Sequence, residues 1–232
     1  MTIFPGMGIG LARASLLVAA QESGALLFSE TGFTLKSKRL SPYFFNAAKL
    51  GSGTNYAVLG AGYACAIMEP GVFDVDNNAT VLFGPAYKGI PLATAASLML
   101  SLHYRRNVPV AFNRKEVKDH GDGGELVGAN LHGKRVIMID DVITAGTAVR
   151  ESKAIIEKHG GVLEGVLTIL DRQERGINTD LSAMEQVRQE FGIQATSILM
   201  FEDVLINSER TQSLSIVEAM RKYREEWGVQ NK

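Results

Sequence analysis

Two adjacent carboxylates precede a loop of small residues in the segment VIMIDDVITAGTAV, which spans residues 136–149. The apolar residues before Asp140 and Asp141 are typical of a buried parallel strand. After Gly146 the apolar residues recur with helical spacing, which predicts that a helix begins there. Backbone N–H groups and the helix dipole favour a phosphate at such a junction. Because carboxylates accept hydrogen bonds from hydroxyls, the segment predicts a site for a phosphorylated sugar.

Neither of the common phosphate-binding patterns explains this segment. A P-loop needs a lysine directly after its second glycine, and no lysine follows Gly146. The dinucleotide pattern G-x-G-x-x-G is imitated by Gly6, Gly8 and Gly10, but Leu11 stands where the third glycine is required. The structural alternative is that the two aspartates only cap a turn.

The elements that must position these residues alternate along the chain. Predicted strands span 81–83, 108–112, 136–139, 166–170 and 196–201, and predicted helices span 54–68, 90–104, 147–159 and 182–191. Such alternation predicts an α/β fold with a mainly parallel sheet and helices on both faces. Helical periodicity also appears in 9–20 and 213–227, whereas the residues between Val204 and the second of these carry no assignment.

Composition excludes several classes of function. The 232 residues include 24 basic and 25 acidic side chains, which gives no electrostatic reason to expect nucleic acid or a membrane surface as a partner. The single cysteine, Cys65, cannot form an internal disulfide and is expected in a buried helix, which favours the reducing cytoplasm. The four histidines lack metal-ligand spacing. The apolar run 9–20 is interrupted by Arg13, which favours a helix over a signal peptide.

Five segments, in this order along the chain, resemble type I phosphoribosyltransferases, and within them the orotate phosphoribosyltransferase family. They are FTLKSKRLSPYFFN (33–46), LFGPAYKGIPLA (82–93), FNRKEVKDHGDGGELVG (112–128), VIMIDDVITAGTAV (136–149) and LDRQERG (170–176). The resemblance implies a type I phosphoribosyltransferase fold in a single domain of residues 1–232. A small N-terminal hood is expected at about 1–50, and a mobile catalytic loop at about 113–127.

The resemblance also implies the reaction and its partners. The 5-phosphoribosyl group of phosphoribosyl pyrophosphate (PRPP) passes to orotate with Mg²⁺ present, giving orotidine 5'-monophosphate and pyrophosphate. Mg²⁺ is expected to be held mainly by PRPP and water rather than by direct protein ligands. The enzyme is expected to be a cytoplasmic homodimer in which loop 113–127 contributes to the neighbouring subunit's site.

PRPP is expected to contact the loops after two strands and the mobile loop. The PRPP-binding residues that the resemblance implies are Lys36, Tyr87, Lys88, Arg114, Lys115, Lys118, His120, Asp140, Asp141, Val142, Ile143, Thr144, Ala145, Gly146, Thr147 and Ala148. Among them, the implied catalytic residues are Lys115, Lys118, His120, Asp140 and Asp141. Loop cations that arrive on closure can stabilise the departing pyrophosphate. Without the resemblance, 112–128 is interpreted as a solvated surface hairpin and 84–89 as an ordinary βα turn.

Orotate is expected to contact Phe44, Phe45, Thr144 and Arg172. A guanidinium can bind the ring carboxylate of orotate through two parallel hydrogen bonds. The alternatives are core packing for the phenylalanine rings and an ion pair with Glu174 for Arg172. A phosphoribosyltransferase for a purine base fits these residues less well. A noncatalytic PRPP-sensing regulator, the second rival, could lose the loop cations that this chain keeps.

Two backbone expectations accompany the resemblance. Pyrophosphate loops of the family carry a non-proline cis peptide, which is expected here near Ala86–Tyr87. The family usually has glycine where this chain has Lys38, and a polar residue where it has Leu40. If position 38 adopts a positive φ, lysine there costs on the order of 1 kcal/mol. The departure bears on the neighbouring Lys36.

Overall fold

The computed structural model describes residues 8–118, 124–143, 146–176 and 178–229. Its strands are β1 (Leu26–Thr34), β2 (Leu40–Phe45), β3 (Thr80–Phe83), β4 (Val110–Lys118), β5 (Gly124–Gly128), β6 (Arg135–Asp140), β7 (Val162–Asp171) and β8 (Gln194–Met200). Its α-helices are α1 (Ile9–Glu22), α2 (Gly53–Ile67), α3 (Gly89–Tyr104), α4 (Thr147–Lys158), α5 (Ala183–Phe191), α6 (Phe201–Thr211) and α7 (Leu214–Trp227). In these residues, no helix is long and apolar enough to cross a membrane.

A six-stranded sheet in the order β5-β4-β3-β6-β7-β8 forms the centre of the fold. Strands β4, β3, β6, β7 and β8 are parallel to one another, and β5 pairs antiparallel with β4 at the edge. All five predicted parallel strands are confirmed, and so is the mainly parallel sheet. Their carboxyl ends meet at one edge, where open α/β sheets bind ligands.

Strand residues alternate between two apolar cores, one on each face of the sheet. Leu82 and Ile137 pack with α1, α2, α3, α6 and α7 on one face. Val81 and Met138 pack with α4 and α5 on the other face. Both faces are therefore covered by helices, as predicted, and the middle strands are apolar on both sides. Cys65 is buried in α2, which confirms the expected position of the single cysteine.

β4 is longer than the predicted strand 108–112. It continues to Lys118, because the polar residues after Phe112 pair with the antiparallel β5. Backbone pairing at a sheet edge does not require apolar side chains, so periodicity did not reveal this extension. The hairpin interpretation of 112–128 is therefore confirmed for its two paired arms, while residues 119–123 lie outside the described part.

The predicted strand 196–201 ends one residue early, and a helix follows it. The Asp203 carboxylate accepts a hydrogen bond from the Met200 backbone N–H at 2.8 Å and so caps α6. A carboxylate near a helix N-terminus also interacts favourably with the positive end of the helix dipole. The helix α6 occupies much of the region that had no assignment after Val204.

An antiparallel hairpin of β1 and β2 forms the N-terminal layer, in the region expected to form the hood. Its turn closes through a hydrogen bond from the Leu35 N–H to the Arg39 carbonyl oxygen at 2.9 Å. Within this turn Lys38 has φ 65°, the left-handed conformation anticipated where the family usually has glycine. A lysine side chain is strained in this conformation.

We predict that Lys38→Gly increases the free energy of unfolding by about 0.5–1 kcal/mol, because glycine adopts a positive φ without steric strain. Chemical denaturation of both proteins measures the difference. Ser37→Gly is the matched control, since Ser37 is not among the described residues with positive φ. That control should be slightly destabilised through the entropy of the unfolded chain. A Lys38→Gly protein no more stable than the parent would contradict the assigned strain.

Candidate active site

The two aspartates lie at the carboxyl end of β6, in the middle of the sheet. Asp140 and Asp141 are 9% and 8% exposed, so both carboxylates are largely withdrawn from water. The Asp141 N–H donates to Asp140 Oδ1 at 2.8 Å, and the Val142 N–H donates to Asp141 Oδ1 at 3.0 Å. These bonds are the turn-capping interactions of the structural alternative. They engage one oxygen of each carboxylate, so capping does not exhaust what the pair can bind.

Burial makes Asp140 a weak acid. It raises the pKa of this carboxyl to about 7, and the adjacent charge of Asp141 adds to the rise. The N–H of Asp141 and the ammonium of Lys88 act in the opposite direction. Beneath the pair, the buried Tyr63 hydroxyl donates to the Asp140 carbonyl oxygen at 2.8 Å. Burial raises the pKa of Tyr63, so it remains a proton donor to that carbonyl.

The loop between β3 and α3 faces this pair. Its Ala86–Tyr87 peptide bond is cis, as expected from the family resemblance. A Cβ on Gly84 would lie 2.3 Å from the Gly89 carbonyl oxygen, so this close approach of backbones requires glycine. The Ala86 N–H also donates to Asn113 Oδ1 at 2.9 Å, which ties the loop to β4. Sequence reasoning did not single out Asn113.

Cations converge on the two loops. Lys88 Nζ lies 2.7 Å from Asp141 Oδ2. Tyr87 is 67% exposed, and Lys115 Nζ lies 5.2 Å from the centroid of its ring, within reach of a cation–π interaction. The structure therefore brings the pyrophosphate-loop residues, one hairpin lysine and the aspartates into one region.

The other predicted cations lie in the β4–β5 hairpin, in the turn between β1 and β2, or outside the described residues. Arg114 donates to the Gly124 carbonyl oxygen at 3.3 Å, across the β4–β5 hairpin. Lys118 is the last residue of β4, and His120 lies outside the described residues. Lys36 is exposed in the turn between β1 and β2. It forms no ion pair with the acidic residues that the structure describes.

The loop after the aspartates leads into α4. Gly146 is the N-cap of this helix and has φ 70°. Val142 packs against the core on one face of the sheet, and Ile143 packs against the core on the other. Thr147 and Ala148 form the first turn of α4, whereas the predicted Thr144 and Ala145 lie outside the described residues. The helix begins beside the carboxylates, as the sequence predicted, with its positive dipole end at the site.

The residues predicted to bind a planar base lie in the β1–β2 hairpin and directly after β7. Phe45 is half-buried and packs partly against the core, as the packing alternative predicts. Phe44 is 37% exposed, and its centroid lies 5.7 Å from that of Phe33. The exposed ring remains available for stacking.

Arg172 contacts Glu174, Ser41 and Tyr43. Its Nε lies 2.6 Å from Glu174 Oε1, which is the ion pair of the alternative interpretation. Its Nη2 donates to Ser41 Oγ at 3.0 Å, and its guanidinium carbon lies 4.1 Å from the Tyr43 ring centroid. Sequence reasoning noticed Glu174 but missed Ser41 and Tyr43. The available signal was their position in SPYFFN, which carries the predicted phenylalanines.

The site offers a modest donor set for a metal ion. Among the described residues, no group of three or more His, Cys, Asp and Glu side chains could hold one. Two adjacent carboxylates nevertheless fit Mg²⁺, which takes one or two carboxylates together with phosphate oxygens and water.

Comparison with known proteins reveals a clear relationship. The phosphoribosyl transferase domain family matches residues 66–195. The chain is 50% identical over 199 residues to the orotate phosphoribosyltransferase of Pectobacterium carotovorum subsp. carotovorum (strain PC1), with 85% of this chain and 90% of that relative covered. The orotate phosphoribosyltransferase of Salmonella newport (strain SL254) gives the same identity and coverage. A crystal structure of orotate phosphoribosyltransferase from Francisella tularensis superposes with a TM-score of 0.81 at 37% identity, covering 92% of this chain and 99% of that one.

We predict a pH-dependent gain in stability for Asp140→Asn. Since burial raises the folded-state pKa of Asp140 to about 7, its contribution to stability is complete below the unfolded pKa and is lost as pH rises through 7. The neutral amide avoids this loss. The free-energy difference between variant and parent should therefore grow by about 1–3 kcal/mol from pH 5 to pH 8.

Denaturation of both proteins at the two pH values measures this difference. Asp180→Asn, at a carboxylate that is 95% exposed, is the control and should give the same difference at both. An Asp140→Asn difference that does not change with pH would contradict the buried-carboxylate account.

Proposed function

The chain belongs to the orotate phosphoribosyltransferase family, and we propose that it transfers the 5-phosphoribosyl group from PRPP to orotate. The products are orotidine 5'-monophosphate and pyrophosphate, as required in the biosynthesis of pyrimidine nucleotides. The observation that carries this proposal is the Asp140–Asp141 pair. It is buried at the carboxyl edge of the sheet, beside Lys88 and at the start of α4.

In this reaction the bond from C1 of the ribose to the pyrophosphate oxygen breaks, and its electron pair leaves with pyrophosphate. A bond from C1 to a ring nitrogen of orotate forms. Asp140 and Asp141 accept hydrogen bonds from the ribose hydroxyls, and their negative potential favours the cationic character that develops on the sugar. The proton on the attacking ring nitrogen passes to water, and no side chain is assigned as a base for it.

The leaving group meets the cations of two loops. Lys88 is held by Asp141 at 2.7 Å, from which it can turn toward a pyrophosphate oxygen. Arg114, Lys115, Lys118 and His120 come from the predicted loop 113–127 and are assigned to the same charge. Cations that contact pyrophosphate more strongly as its charge grows lower the barrier rather than merely tightening binding. The N-terminus of α4, with Thr144 to Ala148, is assigned to the 5-phosphate.

We propose that the reaction depends on Mg²⁺. PRPP and water would supply most of its ligands, and Asp140 and Asp141 would contact it through the ribose hydroxyls. When bound, the ion neutralises pyrophosphate charge and stabilises the leaving group.

The base is assigned to Phe44, Phe45, Thr144 and Arg172. The exposed face of Phe44 suits a planar ring, and Arg172 supplies the positive charge for the ring carboxylate. A cytoplasmic location is part of the proposal, since the single cysteine, Cys65, is buried in α2 and has no second cysteine with which to form an internal disulfide.

The direct test is loss of orotate absorbance in the presence of PRPP and Mg²⁺, with hypoxanthine, adenine and uracil as control bases. Turnover of orotate alone is expected. Turnover of another base without orotate would favour a different phosphoribosyltransferase. Binding of PRPP without turnover of any base would favour a regulatory protein.

Arg172→Ala should separate the two substrates. The variant loses a charge-assisted contact that only orotate can make, so KM for orotate should rise by about 10- to 100-fold. KM for PRPP should change by less than about threefold. Steady-state kinetics with each substrate varied in turn gives both values. Arg221→Ala, at an exposed arginine of α7, is the control and should match the parent. An equal loss for both substrates would make Arg172 a structural residue.

We propose a homodimer in which loop 113–127 acts at the neighbouring subunit's site, and subunit mixing tests it. One inactive variant carries Lys115→Ala and Lys118→Ala, and the other carries Asp140→Asn and Asp141→Asn. After joint unfolding and reassembly, about half of the dimers should be mixed. One site of each mixed dimer would then be intact, so activity should recover to roughly a quarter of the parent value.

Within one chain, Lys115 lies beside Tyr87, so the experiment discriminates between two real arrangements. If loop 113–127 acts only within its own chain, every site of a mixed dimer retains one defect. Efficient mixing without recovered activity would therefore exclude the shared site. Mass spectrometry of differently labelled subunits provides the measure of mixing.

A further inference from the structure

Arg172 shares its carboxylate partner with a second arginine. Glu174 Oε1 lies 2.6 Å from Arg172 Nε, and Glu174 Oε2 lies 3.4 Å from Arg39 Nη1. The side chains of Arg39 and Glu174 are only 9% and 13% exposed, and that of Arg172 is 23% exposed. The three residues therefore form a largely buried arginine–glutamate–arginine cluster.

The charge of this cluster decides what Arg172 can attract. Glu174 alone would neutralise Arg172, and its carboxylate would repel an anionic base. With Arg39 included, two positive charges share one negative charge, so the cluster keeps a net charge of +1. Charges this poorly exposed are weakly screened by solvent and salt, so the balance is felt by a ligand at Arg172.

Arg39 is held in place by the C-terminal part of the chain. Its guanidinium carbon lies 4.4 Å from the Trp227 ring centroid, and its Nη2 donates to the Arg175 carbonyl oxygen at 2.7 Å. The Arg175 N–H in turn donates to the Trp227 carbonyl oxygen at 2.8 Å. The end of α7 thus fixes both Arg39 and the segment that carries Arg172.

Arg172 is restrained from the other side by the β1–β2 hairpin. Ser41 Oγ accepts its hydrogen bond, and the Tyr43 ring lies against its guanidinium. Because Nε contacts Glu174 and Nη2 contacts Ser41, the orientation of the guanidinium plane is set before any base binds. Preorganised charge of this kind favours binding of a carboxylate.

We propose that Arg39 is a specificity-determining positioning residue, which offsets the charge of Glu174 so that Arg172 keeps a net positive charge for the base carboxylate. This inference rests on the proposed function, because it assigns that carboxylate to orotate. Arg39 acts through Glu174 and Arg172 rather than by touching the base.

A charge-compensation experiment tests the proposal. Arg39→Met removes the charge but keeps an unbranched apolar side chain against Trp227. KM for orotate should rise about tenfold, while KM for PRPP stays within about twofold. Adding Glu174→Gln removes the excess negative charge and returns the cluster to +1. The double variant should therefore regain KM for orotate to within about threefold of the parent.

A merely structural role gives the opposite pattern, because a second lesion in a packed cluster adds damage. A double variant with a higher KM for orotate than Arg39→Met alone would overturn the proposal. So would an equal rise in KM for orotate and PRPP. Arg135→Met removes an arginine from another ion pair, with Asp74, and is the control that should leave both KM values unchanged.

Folding is checked by thermal unfolding of each variant. If Arg39→Met does not fold, Arg39→Lys retains the charge and should keep KM for orotate within about threefold, whereas Arg39→Gln should raise it about tenfold. Equal values for these two variants would overturn the proposal. The parent provides the remaining distinction: without orotate turnover by the parent, the proposed function fails together with this inference. With that turnover present, the variants test the charge balance alone.

Discussion

Burial of two neighbouring carboxylates at the end of β6 is the constraint on which the site depends. Charged groups withdrawn from water need compensation, and here each aspartate receives a backbone N–H from the next residue. Lys88 adds a positive charge at 2.7 Å from Asp141. The βα loop with its close glycines brings Lys88 to that position, and α4 begins where its dipole faces the same region. Even so, burial leaves the pKa of Asp140 raised to about 7. Burial of these carboxylates therefore lowers the stability of the fold, at a position where the hydroxyls of a bound sugar can take the place of the excluded water.

Much of the sheet could be predicted because its middle strands are apolar on both faces. Val136 to Ile139 was identified almost to its ends, since no polar residue interrupts it before Asp140. The β1–β2 hairpin and β5 were less visible, because edge pairing is satisfied by backbone bonds and leaves mixed polar side chains. The helix α6 was missed since the apolar run of β8 continues directly into Phe201, and only the capping by Asp203 separates them. These failures share one cause: the boundary was set by hydrogen bonding rather than by apolar periodicity.

The sequence indicates many residues of the candidate site but few of the partners that hold them in place. The cis peptide at Ala86–Tyr87 and the positive φ of Lys38 followed from the family resemblance. By contrast, Arg172 meets Ser41 across 131 positions of sequence, and Arg39 meets Glu174 across 135. Such contacts depend on how the hairpin and α7 pack against the end of β7, which no local pattern encodes. Glu174 was foreseen as a simple alternative partner, yet the structure makes it the shared centre of two arginines.

The arrangement divides the site into two parts with different origins in the chain. The segment matched by the phosphoribosyl transferase domain, 66–195, contains Lys88, both aspartates and the start of α4. These are the residues assigned to the phosphoribosyl group. Most of the surroundings of Arg172 lie outside that segment: Ser41, Tyr43 and Arg39 come from the hairpin, and Trp227 comes from the end of α7. Under the proposed function, the shared domain would keep the phosphoribosyl chemistry constant while the β1–β2 hairpin and α7 would determine which base is accepted. On this view the C-terminal helix is part of base selection, because the ring that holds Arg39 is its last residue.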